Sequence, residues 1–434
     1  MGRTEPESSI CFSRASRIVS SVHEARRRVL KLPDPLKFLE PHMLYFRERH
    51  PGLTEIARYY FLRPSKQLRP LLVFLFSQAT NGIGRNWGLK KWESECVGAG
   101  GSADELDRPF TPPDVLNDWN PCRPDTTACF NPDFISSERR PRQSPPEPPD
   151  LFGQPAGLVS PPLILPTQMR LAQILEMIHA ASLLHDDVID RSPLRRGVAS
   201  APEAFGNKLS VLAGNFILGR ASTALARLGD LEVIELIASI ISNLVEGEIL
   251  QMRDVQIQQD AGVAAAQSGK EAWTLYLQKT YMKTASLMAK GARAAVALGG
   301  CTEGELWREV AYAYGRNLGI AFQLIDDVLD YAAGDATLGK PGGADLQLGL
   351  ATGPALYAWE EFPELGPLIA RKFAEKGDVE HARSLVKASR GVERTRELAV
   401  AYAQQALEVI QPLPESEAKN ALEALALRVT KRTF

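Results

Sequence analysis

The stretch PTQMRLAQILEMIHAASLLHDDVID, residues 166–190, decides how this chain is read. Pro-Thr at its start is a helix-opening pair, because the N–H that proline lacks is one a first helical turn leaves unused anyway. Apolar residues then recur three and four apart on a broad face, the pattern of a helix packed on several sides. The stretch ends in DDVID: Asp186, Asp187 and Asp190. Asp186 and Asp190 are four apart and share one helix face. A second copy of the arrangement follows downstream, where IAFQLI runs into DDVLD with Asp326, Asp327 and Asp330. One such motif is read first as a solvated acidic helix end, which is common on protein surfaces. Two of the same pattern, each ending a strongly apolar run, point instead to a site, because clustered carboxylates repel and are costly to desolvate.

Outward from these motifs the chain reads as helix almost throughout. Helical patterns are expected at about 207–229, 231–258, 271–299, 303–332, 351–376, 378–389, 392–410 and 415–431, separated by Gly and Pro. No useful length alternates with a period of two, so no sheet is expected and the fold class is all-α, a large bundle. Composition is ordinary for a globular protein: 434 residues, 44% hydrophobic, 24% charged and a net charge of −2. That balance argues against a dedicated nucleic-acid binder. No run of eighteen apolar residues marks a membrane span. The five cysteines form no CxxC pair, so neither a zinc site nor a disulfide framework is indicated.

Two segments stand apart. Residues 1–33 form a basic leader in which Arg14, Arg17, Arg26, Arg27, Arg28 and Lys31 face one acid, Glu24, between residues 11 and 31. Arg and Ser enrichment with few acids is how an organelle-targeting presequence reads, whereas a solvated basic helix is the plainer alternative. Residues 34–80 look helical, with breaks at Pro64 and Pro70. Of the 30 prolines, 15 lie between Pro109 and Pro166. Residues 81–165 are therefore expected to be a Pro- and Gly-rich, disordered insertion in one domain spanning 34–434.

Carboxylate oxygens are hard ligands suited to Mg²⁺, which typically joins one or two carboxylates to substrate phosphates. Cations lie beside the motifs: Arg195 and Arg196, Lys66 and Arg69 in SKQLRP, Lys283 in YMKTASL, and Lys340 in LGKPGGADL. Each alone is more often a surface charge. Their placement around two carboxylate motifs is what points to a diphosphate.

These segments resemble the trans-isoprenyl diphosphate synthases, in particular the long-chain fungal polyprenyl diphosphate synthases that make the ubiquinone side chain. The resemblance covers about residues 34–80 and 163–431. It rests on KQLRP, EMIHAASLLHDDVIDRSPLRRG, FGNKLSVLAGN, LVEGEILQM, YLQKTYMKTASL, AFQLIDDVLDY, LGKPGGADLQLGLAT and GVERTRELAVAYAQQAL. It implies an isoprenoid-synthase bundle of long helices around a central cavity. It implies Asp186, Asp190 and Asp326 as main Mg²⁺ ligands, with Asp187, Asp327 and Asp330 supporting directly or through water. Arg195, Lys283 and Lys340 would neutralise the allylic diphosphate (farnesyl or geranylgeranyl diphosphate). Lys66, Arg69, His179 and Arg196 would hold isopentenyl diphosphate, and Thr284 and Gln323 would sit near the developing cation. The resemblance also implies a homodimer, peripheral membrane contact, and a mitochondrial location, or a cytoplasmic one if the leader is not a presequence.

Product length is argued from the first-motif helix. Short-chain relatives close the product tunnel with a bulky aromatic about five residues before the first Asp. Here that position is Ala181, flanked by Ala180 and Ser182, with Ile178 and Leu175 further along. A helical turn of about 5.4 Å is roughly one isoprene unit, so the small residues imply a long product. The chain departs from the family pattern at Ser65, Asn215, Pro193 and Leu194. Three other readings are weighed: a shorter-chain (geranylgeranyl-type) synthase, a class I terpene cyclase, and a non-catalytic subunit of a heteromeric synthase. The second DDxxD motif disfavours the cyclase, and the retained Asp motifs and cations disfavour the subunit.

Overall fold

The computed structural model describes residues 51–61, 67–107, 157–158, 163–195, 197–260, 269–332 and 343–432. The basic leader, most of the proline-rich segment, and Lys66, Arg196 and Lys340 lie outside them. The described chain is helical apart from one short hairpin. In order it forms α1 (Pro51–Phe61), α2 (Leu68–Thr80), α3 (Trp87–Glu95), α4 (Ala103–Asp107) and α5 (Pro166–Ile189). The hairpin β1 (Leu194–Arg195) and β2 (Val198–Ala199) is followed by α6 (Ala201–Phe205), α7 (Asn207–Ala226), α8 (Leu231–Asp260) and α9 (Gly269–Thr280). A π-helical turn at Tyr281–Ala285 leads into α10 (Ser286–Leu298) and α11 (Leu306–Ala332). The chain closes with α12 (Ala344–Gln347), α13 (Gly353–Glu361), α14 (Leu365–Ala370), α15 (Asp378–Ala388), α16 (Gly391–Val409) and α17 (Glu417–Thr430).

The expected all-α architecture is what the structure has, with strand confined to the two-residue pairing Leu194↔Ala199 and Arg195↔Val198. Two apolar cores meet at α2 and α10. One joins Leu72, Leu75 and Phe76 of α2 to Met288, Ala292 and Val296 of α10, Tyr314 and Leu318 of α11, and the apolar faces of α16 and α17. The other joins Val73 and Phe74 of α2 to Leu171, Ile174, Leu175 and Ile178 of α5, with α7, α8 and α10 behind them. The motif helices α5 and α11 are thus each packed along their length, and their acidic ends are placed by the core.

Residues 81–107, expected to belong to the disordered insertion, instead carry α3 and α4. Trp87 opens α3 and is 1% exposed, and Leu106 of α4 packs into the second core, so both act as apolar anchors. Where the chain returns, Gln168 in the first turn of α5 ties the ends together. It exchanges two hydrogen bonds of 2.9 Å with Asn81, donates to the Ala295 carbonyl at 2.9 Å, and accepts from the Leu165 N–H at 3.0 Å. That last bond satisfies one of the N–H groups a helix start leaves unpaired. The exit from α2 and the entry to α5 are therefore side by side, and loop closure charges only slowly for length inserted between them.

Helix α11 closely approaches α10 at Gly315 and the π-helical turn before α10 at Gly319. A Cβ on Gly315 would lie 2.6 Å from the Met288 carbonyl oxygen, and one on Gly319 would lie 2.6 Å from the Ala285 Cα. Alanine would gain roughly 1 kcal/mol in helix propensity. Overpacking against rigid backbone costs about 1–3 kcal/mol, so the steric term wins. Gly315→Ala is expected to lower the thermal midpoint by several degrees in a melting experiment, whereas Gly219→Ala, whose Cβ would meet nothing within 4 Å, is expected to be neutral or stabilising.

Candidate active site

Helix α5 stops because Arg191 adopts a left-handed backbone, φ 49°. The Ser192 N–H then reaches back to the Asp187 carbonyl at 3.1 Å, and Pro193 prevents further helix. The unusual Pro193 is thus part of the stop. The chain turns through Gly197, φ 77°, and the hairpin brings Arg195 back onto the helix it has just left. Arg195 Nε donates to one Asp187 oxygen at 2.6 Å. The Tyr60 hydroxyl of α1 donates to the other. Tyr59, beside it, donates to the Ala199 carbonyl, so α1 clasps both the helix end and the hairpin.

Asp187 is fully buried, while Asp186 and Asp190 are partly exposed. A helix turns 100° per residue, so the i and i+4 carboxylates point one way and the i+1 carboxylate another. Burial pushes the Asp186 carboxyl up to about 6, with Lys283 and Arg195 pulling it down and Glu248 and Asp190 pushing it up. Asp190 is raised by burial and then by Glu248. Glu248 of α8, which the sequence reading did not single out, forms an ion pair with Lys283. Lys283 Nζ also donates to Gln251 Oε1 at 3.1 Å.

The second motif is built the same way. Asp327 is 3% exposed. The Tyr276 hydroxyl of α9 donates to one of its oxygens, and Gln323 Nε2, one turn earlier on α11, donates to the other at 2.8 Å. Gln323 Oε1 in turn accepts from Thr284 Oγ1 at 2.8 Å. Burial pushes Asp327 up to about 6 against those hydrogen bonds, with Asp326 and Asp330 adding to the rise. Asp330 accepts from the Asp345 N–H at 3.2 Å, and the Asp345 carboxyl is itself held well above the usual carboxylate range by burial and by Asp327 and Asp330. Asp326 pairs with Arg432 at 2.7 Å, and the guanidinium lies 4.4 Å from the Phe322 ring centroid.

The π-helical turn joins the two halves. Its successive residues face different helices: Lys283 meets Glu248 and Gln251 of α8, and Thr284 meets Gln323 of α11. Thus Asp186, Asp190, Lys283 and Arg195 form one electrostatic group, and Thr284, Gln323, Asp327, Asp326 and Asp330 continue from the adjacent residue. Arg69 is half-buried in the first turn of α2, just after Gln67, which is buried and left-handed at φ 44°. His179 is half-buried on α5. Asn215 is exposed on α7, next to Gly214, where a Cβ would lie 2.3 Å from His185 Nε2. Of the tunnel candidates, Ile178 packs into the core of α2, α8 and α10, while Ala181 packs with Ile56 and Phe61 of α1 and Ala213 and Ile217 of α7. Ser182 donates to the His179 carbonyl at 2.9 Å.

Among the described residues, no three His, Cys, Asp or Glu side chains already converge on one metal position. The donor chemistry nonetheless fits a hard divalent cation. Carboxylates are crowded at both helix ends, and their raised affinities for protons record a repulsion that an added cation would relieve.

Residues 160–386 match the family model described as polyprenyl synthetase. The chain belongs to the polyprenyl synthetase family. It is 45% identical over 383 residues to a probable mitochondrial hexaprenyl pyrophosphate synthase of Neurospora crassa, covering 88% of this chain and 76% of that one. It is 40% identical over 428 residues to the mitochondrial hexaprenyl pyrophosphate synthase of Saccharomyces cerevisiae, covering 88% and 85%. A polyprenyl synthase from Caulobacter crescentus, solved with calcium and isoprenyl diphosphate, shares the fold with a TM-score of 0.63 at 24% identity, over 94% of this chain and 98% of that one. The family is one of prenyltransferases, and this chain is a prenyltransferase of that family.

In this synthase Asp186 and Asp327 ionise near pH 6 when folded, against 3.8 for an ordinary aspartate. Below about pH 4 both states are protonated. Between about 4 and 6 the native state binds more protons, so these two groups cost stability as the pH rises through that window. Without divalent cations, the thermal midpoint of the unmodified chain minus that of Asp186→Asn/Asp327→Asn is expected to fall between pH 4 and pH 6. A difference that stays flat with pH would show that the carboxylates are not strained by burial.

Proposed function

We propose that this chain is a long-chain trans-polyprenyl diphosphate synthase that adds isopentenyl diphosphate head to tail onto an allylic diphosphate, farnesyl or geranylgeranyl, to supply a ubiquinone side chain in mitochondria. The observation that carries the reading is the pair of DDxxD helix ends, joined through the Lys283–Thr284 turn and bordered by Arg195. The mitochondrial hexaprenyl synthases named above support the product class and the compartment.

In this reading Asp186, Asp190, Asp326 and Asp330 hold Mg²⁺, which when bound neutralises charge on the departing diphosphate. Arg195, Lys283 and Lys340 add positive charge on the allylic side. Lys66, Arg69, His179 and Arg196 hold isopentenyl diphosphate. The allylic C–O bond breaks to give a carbocation and diphosphate, the double bond of isopentenyl diphosphate attacks the cation, and the departing diphosphate takes the proton that is lost. The Thr284–Gln323 hydrogen bond orients two polar oxygens beside the cation. The apolar flanks of α5 and α11 keep water from capturing it. Ile178, Ala181 and Ser182 set how far the product extends along α5.

A homodimer is part of the reading. Val211 and Leu212 on α7 and Val245 and Ile249 on α8 are exposed, the largest exposure being 60% at Leu212. By length and composition α7 is also apolar enough to cross a membrane. Its contacts along α5, and this exposed apolar face, fit burial against a second copy better than burial in lipid.

Purified chain supplied with Mg²⁺, farnesyl diphosphate and labelled isopentenyl diphosphate is expected to give products longer than geranylgeranyl. Asp186→Ala is expected to cut turnover by at least about a hundredfold, the scale of losing a charge-stabilising group, with the far-ultraviolet circular dichroism unchanged. Products ending at geranylgeranyl would overturn the chain length, and no elongation at all would overturn the enzymatic reading of the isolated chain.

A further inference from the structure

The two motifs share a feature that their sequence does not display. In each, the central aspartate is buried and takes a phenol on one carboxylate oxygen and a nitrogen donor on the other. Asp187 receives Tyr60 and Arg195, and Asp327 receives Tyr276 and Gln323. The phenols come from different helices, α1 and α9, far apart in sequence. The nitrogen donors also differ in type and in origin: one lies eight residues after its aspartate and the other four residues before it. Two unrelated routes arrive at the same arrangement of donors.

We propose that Tyr60 and Tyr276 are positioning residues of the condensation, each anchoring the central aspartate of one motif and thereby aiming the two outer carboxylates of that motif at the diphosphate-bound cation. This rests on the function proposed above. It reassigns Asp187 and Asp327, which the motif pattern suggested as supporting ligands, to anchors. Asp187 and Asp327 are 0% and 3% exposed, and both oxygens of each are turned toward a phenol and an N–H donor inside the protein, which leaves them little access to a cation. The helix position of Asp187, 100° round from the first aspartate, turns it away from the face that Asp186 and Asp190 share.

Both phenols are themselves held. Tyr276 is 5% exposed, with the Trp273 ring edge-on at 5.5 Å. Gly353 leaves room for its hydroxyl, since a Cβ there would stand 3.3 Å from it. Tyr60 is flanked by Tyr59, whose ring packs edge-on against Phe205 at 5.3 Å, and Tyr59 bonds the hairpin that carries Arg195. The Tyr276 ring is thus packed beside the hydrogen bond it makes, and Tyr60 is half-buried beside Tyr59 against the apolar cluster of α1, α5 and α7.

The test is Mn²⁺ binding to the full chain in the presence of inorganic pyrophosphate, read by electron paramagnetic resonance, for the unmodified chain, Tyr60→Phe, Tyr276→Phe, Asp327→Asn and Tyr276→Phe/Asp327→Asn. Each single Tyr→Phe change removes one oxygen and is expected to weaken Mn²⁺ binding about ten- to a hundredfold, the scale on which loss of outer groups that orient metal ligands is felt. The double variant is expected to bind no more weakly than the weaker of its two parents, because Tyr276 acts through Asp327. If Tyr276→Phe alone fails to fold, the double variant removes the buried charge left without its donor, is expected to fold, and is compared with Asp327→Asn instead. Unchanged Mn²⁺ affinity in both Tyr→Phe variants, or losses that add fully in the double variant, would overturn the positioning role while leaving the synthase reading intact. Failure of the unmodified chain to bind Mn²⁺ with pyrophosphate would overturn the synthase reading itself and this inference with it.

Discussion

The constraint on which this structure depends is the crowding of carboxylates at the ends of apolar helices. Two helices packed along their length, α5 and α11, each finish in three aspartates within five residues. Burial and mutual repulsion raise their affinity for protons, and a fold that tolerates this must supply donors from elsewhere. Much of the architecture around the site serves that purpose. The left-handed stop at Arg191 folds the hairpin back so that Arg195 reaches Asp187, and α1 is clasped over both. On the other side α9 ends where Tyr276 meets Asp327, and the chain goes directly into the π-helical turn.

That turn has a physical logic of its own. An added residue in a helical turn shifts the side chains after it relative to those before it, and such turns recur at functional sites. Within this one lie Lys283 and Thr284, adjacent side chains of which one meets the first acidic group and the other the second. The adjacent residues Lys283 and Thr284 thus link the two halves of the site.

Most of the fold was legible in the sequence because long amphipathic helices announce themselves and Gly and Pro mark their ends. The patterns at 207–229, 378–389 and 392–410 correspond to α7, α15 and α16 within a few residues. The π-helical turn was not legible, since YMKTASL has the same composition either way. The span from Asn81 to Asp107 was assigned to the insertion because of its Gly content, yet Trp87 and Leu106 bury there; a single large apolar side chain anchors more than the local average suggests. Arg195, Lys283, Thr284, Gln323 and the six aspartates were named from motif and resemblance, and the structure brings them together. Tyr60, Glu248, Tyr276, Asp345 and Arg432 were missed. Each meets its aspartate or lysine partner through tertiary packing across a sequence gap, and no spacing rule reaches that far. The LVEGEILQM and LGKPGGADLQLGLAT segments did contain these acids, Glu248 beside Glu246 in the first and Asp345 alone in the second, but nothing in the sequence tied them to the motifs.

The central claim is a division of labour in each motif, with the outer aspartates given to the cation and diphosphate and the middle one kept by the protein. The most direct measurement is a crystal structure of the chain with Mn²⁺ and inorganic pyrophosphate, with the metal located by its anomalous scattering. The expected result is Mn²⁺ on Asp186 and Asp190 and on the outer carboxylates of the second motif, with Asp187 still bonded to Tyr60 and Arg195 and Asp327 still bonded to Tyr276 and Gln323. Mn²⁺ coordinated by Asp187 or Asp327, or no Mn²⁺ at either helix end, would contradict it.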